Sequence, residues 1–274
     1  MKLHQLSEMP PWEWPDDADH YLLKALSDDS LNESDLMLAV EMAGEYSVIN
    51  DDLAVALLNI AEDPNKAEEI RGQAAVALGP ALEHADTMGF EDPDDLLVSE
   101  AVFDRVKTGL QRLYRDTGAP KLLRRRVLEA SVRAPQPWHA EAIYDAYQDK
   151  DADWILTAVF CMRYIRGFEK EIIKALENDD IDVRYEAVCA AGNWELADAW
   201  PFVESILMAE GTDKDLLLAA IEALPSIRPN EVGRYLAPFW DHEDEDIAEA
   251  VTDAMSMADM LDSFENGEAD EDDF

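Results

Sequence analysis

A chain of 274 residues with 48% apolar residues has ample material for a buried core, yet 62 Asp and Glu against 22 Lys and Arg leave it at a formal −40. That charge excludes general binding to phosphate backbones and to anionic membrane surfaces, and it favours basic partners or simply high solubility. Two cysteines, Cys161 and Cys189, make no disulfide framework and read as small buried hydrophobes.

The first 20 residues lack the apolar run of a secretory signal, and no stretch reaches the ~20 apolar residues that span a bilayer, so a cytoplasmic protein is expected. Residues 1–16 carry Pro10, Pro11, Trp12, Trp14 and Pro15 and read as an extended arm. A short helix over 20–26 follows, so residues 1–33 are expected to be an arm and cap. Such an arm either covers the apolar end of a helical stack, the preferred reading, or docks on another protein.

From residue 34 to 261 one pattern recurs seven times. An apolar residue opens it: Leu36, Ile70, Leu123, Trp154, Val183, Leu216 and Ile247. Four residues on stand Val40, Ala74, Val127, Ala158, Ala187, Ala220 and Val251. Seven on stand Ala43, Ala77, Ala130, Cys161, Ala190, Ala223 and Ala254. This spacing puts three small or apolar residues on one helical face, where neighbouring helices approach closely. An acid directly precedes six of the openers, as Asp35, Glu69, Asp153, Asp182, Asp215 and Asp246, in the first helical turn that the macrodipole favours. Five of the six intervals between openers are 29–34 residues, one helical hairpin each, and the sixth is 53. Second helices are predicted over 51–62, 99–115, 138–148, 169–177, 199–208 and 231–240. The long interval implies an insertion near 80–98, with a loop at Glu91 to Asp95. Residues 262–274, rich in acids, are expected to be a disordered tail. Sustained two-residue alternation is missing, so the fold class is all-α, an α-solenoid of about seven helical hairpins.

The fifth unit, Asp182-Val183-Arg184-Tyr185-Glu186-Ala187-Val188-Cys189-Ala190-Ala191-Gly192, and the second, Glu69 to Gly79, resemble HEAT repeats of the short bacterial kind found in PBS-type lyases. The resemblance covers roughly residues 34–260. The arginine after the opener, typical of these repeats, stands at Arg71, Arg124 and Arg184, while Met37, Ile155, Leu217 and Ala248 replace it elsewhere. The resemblance implies a right-handed superhelix with second helices on its concave side, protein binding as the commonest role, and arginines at that position bonding across repeats. A minority of relatives are bilin lyases, and others are DNA glycosylases, which need a cationic groove.

Four constellations could carry function. Between residues 105 and 133 nine basic residues face two acids, Asp116 and Glu129, a local +7 in a chain whose remainder sums to −47. Arg112, Arg115, Arg125 and Arg126 form the candidate patch; internal pairing with Glu91, Asp92, Asp94, Asp95 and Glu100 and with neighbouring units is the preferred reading. The second is the concave lining, expected to present Glu141, Tyr144, Asp145, Gln148, Lys174, Trp200, Glu204, Arg234 and Trp240, aromatics among charges as at interface hot spots. The arm is the third. The fourth, Asp241-His242-Glu243-Asp244-Glu245-Asp246, could hold a divalent metal but reads better as an acidic turn before a helix. Histidines are scattered, and neither a nucleophile elbow nor a phosphate loop is present, so no catalytic residue, cofactor or metal is expected.

The sequence therefore reads as a non-enzymatic scaffold or adaptor that binds a protein, a basic one among the candidates, on its concave face. An acidic mimic of nucleic acid that sequesters a basic protein is the alternative, and a bilin-lyase-like chromophore-handling protein the second.

Overall fold

The computed structural model of the chain describes residues 3–92 and 95–265, and every regular element among them is helical. Two compact units, Met1–Ala142 and Ile143–Phe274, divide it. The first holds α1 (Leu3–Ser7), α2 (Ala18–Leu26), α3 (Glu33–Ala43), α4 (Asp51–Glu62), α5 (Glu68–Ala77), α6 (Gly79–Met88), α7 (Glu100–Arg115) and α8 (Lys121–Ser131). Helix α9 (His139–Gln148) carries the boundary. The second holds α10 (Ala152–Cys161), α11 (Glu169–Ala175), α12 (Ile181–Asn193), α13 (Trp200–Met208), α14 (Lys214–Ile227), α15 (Val232–Leu236) and α16 (Glu245–Glu265).

The counted pattern falls on α3, α5 and α8 in the first unit and on α10, α12, α14 and α16 in the second, and within each unit consecutive members pack side by side. Of its 21 positions all but Trp154 are buried, so the counted face is the face on which hairpins stack. The chain is an α-solenoid. Small residues let the stacked helices approach: a Cβ added at Gly192 would lie 2.9 Å from the Ala223 Cβ on the next first helix. Replacing Ala187 or Ala220, both fully buried, by Leu should therefore overpack this contact and cost ~1–3 kcal/mol in urea denaturation. Glu249→Gln on the exposed face of α16 should be nearly neutral, and equal midpoints for all three variants would disprove the register.

Helix starts are set by a signal that lies two residues before the acids noted in the sequence. Asp151, Asp180, Asp213 and Asp244, each three residues ahead of its opener, accept the first backbone N–H groups of α10, α12, α14 and α16 at 3.0–3.4 Å. Asn32, Asn50 and Ser99 do the same for α3, α4 and α7. Each cap satisfies donors that a helix leaves open, and removing one costs ~1 kcal/mol.

The three arginines after the openers share one task. Arg71 Nε donates to the Ala61 carbonyl (3.0 Å), Arg124 Nε to the Tyr114 carbonyl (2.9 Å), and Arg184 Nη1 to the Asn178 carbonyl (2.8 Å). Each reaches the end of the second helix just before it and satisfies a carbonyl there.

Four segments differ from the sequence expectation. The arm is folded rather than extended: α1 buries Leu6, a tight turn covers Pro11–Glu13, and the Trp14 indole N–H is shared between the Leu6 and Met9 carbonyls, both at 3.0 Å. One aromatic donor closing on two carbonyls eight and five residues back is tertiary folding that composition does not announce. The insertion holds a helix, α6, started by Pro80 in its first turn and stopped by Gly89 at φ +71°; residues 93 and 94 lie outside the described residues. The helix expected over 231–240 is broken into α15 and a tight turn at Ala237–Phe239, because Pro238 supplies no N–H and fixes φ. The last helix, α16, runs to Glu265 into the expected tail, and residues 266–274 lie outside the described residues.

Candidate functional site

The basic island is used inside the first unit. Arg112 pairs with Glu62, Arg126 Nη1 with Glu129 Oε2 at 2.6 Å, and Arg133 Nη1 with Glu83 Oε2 at 2.5 Å. Arg105 reaches Asn59 Oδ1 at 3.4 Å, and Lys107 Nζ stands 4.3 Å from the Phe103 ring centre. Arg115 is exposed, with its Nη2 3.1 Å from the Gln111 amide when that amide turns its oxygen toward Arg115 and Trp138. Arg125, expected on the surface, is instead buried at 7% exposure. It shares a face with the buried Leu128 and Glu129, three and four residues on, so this side of α8 is covered as well as the side carrying Leu123 and Val127, while Arg126 is exposed. The partners of Arg112, Arg126 and Arg133 are acids of α4, α6 and α8.

The expected lining residues fall into two groups. Glu141, Tyr144, Asp145 and Gln148 are exposed on α9, with Tyr144 at 52%, and Lys174 is exposed on α11. Trp240, 56% exposed, follows the turn after α15.

Trp200, Glu204 and Arg234 are brought together by a residue absent from the sequence reading, Tyr235. Its ring stands edge-on to Trp200, centroids 4.9 Å apart at 78°. Its hydroxyl donates to Glu204 Oε1 at 2.5 Å, which keeps the proton on oxygen and raises the phenol pKa. Arg234 stands over the Tyr235 ring at 5.0 Å and pairs with Glu231 at 3.3 Å; Arg228 stands over Trp200 at 5.8 Å. Two aromatic rings, Trp200 half-buried and Tyr235 buried, are thus held edge to face between two guanidinium groups and a carboxylate where α13 meets α15. Tyr235 escapes sequence reading because, with Val232 and Leu236, it sits on the buried face of α15; only its place beside Arg234 signals a site.

Other chemistry-bearing side chains are occupied. Burial pushes the Cys189 thiol up to about 11, so it stays protonated at neutral pH and is a poor nucleophile. In the run 241–246, Asp244 caps α16, and Asp244 and Asp246 clasp Lys214 Nζ at 2.7 and 2.6 Å, which raises the lysine pKa. Among the described residues no group of three His, Cys, Asp or Glu side chains stands where it could hold a metal ion. Nor is any described helix long and apolar enough to cross a membrane.

No family model matches the chain, and no curated protein does. Solved structures similar to it include human deoxyhypusine hydroxylase in complex with glycerol, at 16% identity, covering 94% of this chain and 88% of that one with a TM-score of 0.42. Another is the CpcE–CpcF complex of phycocyanin lyase from Nostoc sp., at 18% identity, 93% and 98% coverage and TM-score 0.44. A third is a designed armadillo repeat protein in complex with a (KR)4 peptide, at 14% identity, 87% and 98% coverage and TM-score 0.40. The expectation that the chain is not an enzyme is corrected: a missing motif is no ground for that exclusion, and the similar structures include a hydroxylase and a lyase. The first helices, stacked within each unit, make the chain a helical-repeat α-solenoid, consistent with the resemblance of its sequence to HEAT repeats.

Proposed function

We propose that the chain binds a basic protein segment through the second-helix face of its C-terminal unit, centred on Trp200 and Tyr235. The observation that carries this reading is the ordered aromatic pair with the Glu204 carboxylate locked on the Tyr235 hydroxyl. A Trp and a Tyr already fixed against each other lose little side-chain entropy on binding, which is how interface anchors gain their energy. The −40 charge supplies the attraction for a cationic partner and speeds its approach.

Affinity capture from native lysate at low and high salt, read by mass spectrometry, tests it. One enriched protein with a basic surface is expected, captured less as salt screens charges beyond ~8 Å. Trp200→Ala should lower capture about tenfold or more, as truncating an interface anchor does. An acidic partner, or capture unchanged by Trp200→Ala, would overturn the reading.

A further inference from the structure

The first unit carries a second surface feature, which the C-terminal reading does not use. Pro10, Pro11 and Pro15 bracket the turn Pro11–Glu13, with Pro10 and Trp14 both extended (φ −64° and −66°). Proline fixes φ, so Trp12 is presented on a stiff support. Trp14 is anchored by its two carbonyl bonds and packs against the core, whereas Trp12 is 81% exposed and contributes little to the cap. Between them lies a pocket of about 320 Å³ lined by Trp12, Trp14, Pro15, Asp16, Asp19 and Val48.

Its charged lining groups, Asp16 and Asp19, have one sign. Asp19 Oδ1 accepts from the His20 N–H at 2.7 Å and lies 2.8 Å from His20 Nδ1; Oδ2 accepts from Asn50 Nδ2 at 2.9 Å. Burial opposes its charge, but the bonds from His20 and Asn50 outweigh it and hold the carboxyl below the usual range. Asp16 is exposed and has no hydrogen-bond or ion-pair partner among the described residues.

We propose that this pocket receives an arginine side chain of a partner protein, stacked on Trp12 and paired with Asp16. An indole face attracts a cation through its quadrupole, and a flat guanidinium can stack on the ring while its N–H fork meets a carboxylate. Two carboxylates beside the rings oppose an anionic ligand and leave a neutral one without compensation. Charge complementarity thus selects the occupant, and an 81% exposed tryptophan held stiff by prolines is explained by what it presents.

The test is a titration of the intact protein with N-acetyl-arginine amide, followed through the indole N–H resonances of its seven tryptophans, with the neutral isostere N-acetyl-citrulline amide as control. Trp12 and Trp14 resonances should shift selectively with the arginine compound and stay still with citrulline. Asp16→Asn should weaken binding about fivefold, and Trp12→Ala, at an exposed site that leaves folding intact, should abolish the Trp14 shift. Equal shifts with citrulline, shifts spread over all seven tryptophans, no shift at all, or an unchanged Trp14 response in Trp12→Ala would each overturn the proposal. The site lies in the first unit, so Trp200→Ala leaves this titration unchanged and the two readings fail separately.

Discussion

Replacing Gly44 by Ala should destabilise the protein by about 2–3 kcal/mol, while the same replacement at Gly233 should stabilise it by about 0.5–1 kcal/mol. Gly44 ends α3 with φ −86°, a conformation open to any residue, so the cost is purely one of space. A Cβ there would lie 2.6 Å from the Ala77 carbonyl oxygen and 2.8 Å from the Ala77 Cα. Those are backbone atoms of the next first helix, and α3 would have to move off α5 to make room. At Gly233, exposed within α15, the nearest atom is the Met255 Cε at 3.9 Å, so alanine fits and restricts the unfolded chain. Urea midpoints of both variants measure the difference, and two shifts of the same sign would contradict the close approach of α3 and α5.

The second large effect is on pH. His139 is fully buried; its Nδ1 accepts from the Gln136 N–H at 3.0 Å, and its Nε2 lies 3.1 Å from the Ser131 hydroxyl. Ser131 in turn donates to the Leu128 carbonyl at 3.3 Å. Such a chain holds neutral imidazole, since a proton on Nδ1 would meet the Gln136 N–H. Burial first, and then the Lys107 charge, lower its pKa from 6.5 to about 4. A depressed folded value means the unfolded chain binds the proton first. The contribution of His139 is therefore complete above pH 6.5, declines as pH falls, and is lost below about 4. It amounts to ~3 kcal/mol across that window. Denaturation of the parent and of His139→Asn between pH 7.5 and 4 isolates this slope from the titration of the surface carboxylates. The parent should lose stability more steeply, and parallel profiles would show that His139 protonates alike in both states.

How far the candidate site was legible differs from residue to residue. Trp200, Glu204 and Arg234 could be named from helical position, because a side chain pointing off the counted face must meet solvent or a partner. Tyr235 could not, since its spacing is that of a core residue and only the contact with Trp200, 35 positions away, reveals its hydroxyl. The basic island was visible as composition, but its partners Glu62 and Glu83 stand 50 residues from Arg112 and Arg133. Arg125 and Arg126 are adjacent and alike in the sequence; one is buried and the other exposed because they point about 100° apart on α8.

By itself, the sequence determined the all-helical repeat, the seven first helices, stacked within each unit, and the residues that face inward. These follow from small and apolar side chains at a 3.6-residue period and from the start and stop residues of each helix, all of which act within a few residues. The capping aspartates are equally local. Tertiary structure alone decided the folded arm, the pairing of the basic island, the neutral buried His139, the Trp200–Tyr235 cluster and the division at α9. Each of these depends on which distant groups meet, and such meetings are set by how helices pack, through charge and hydrogen bonding in places the local pattern does not encode.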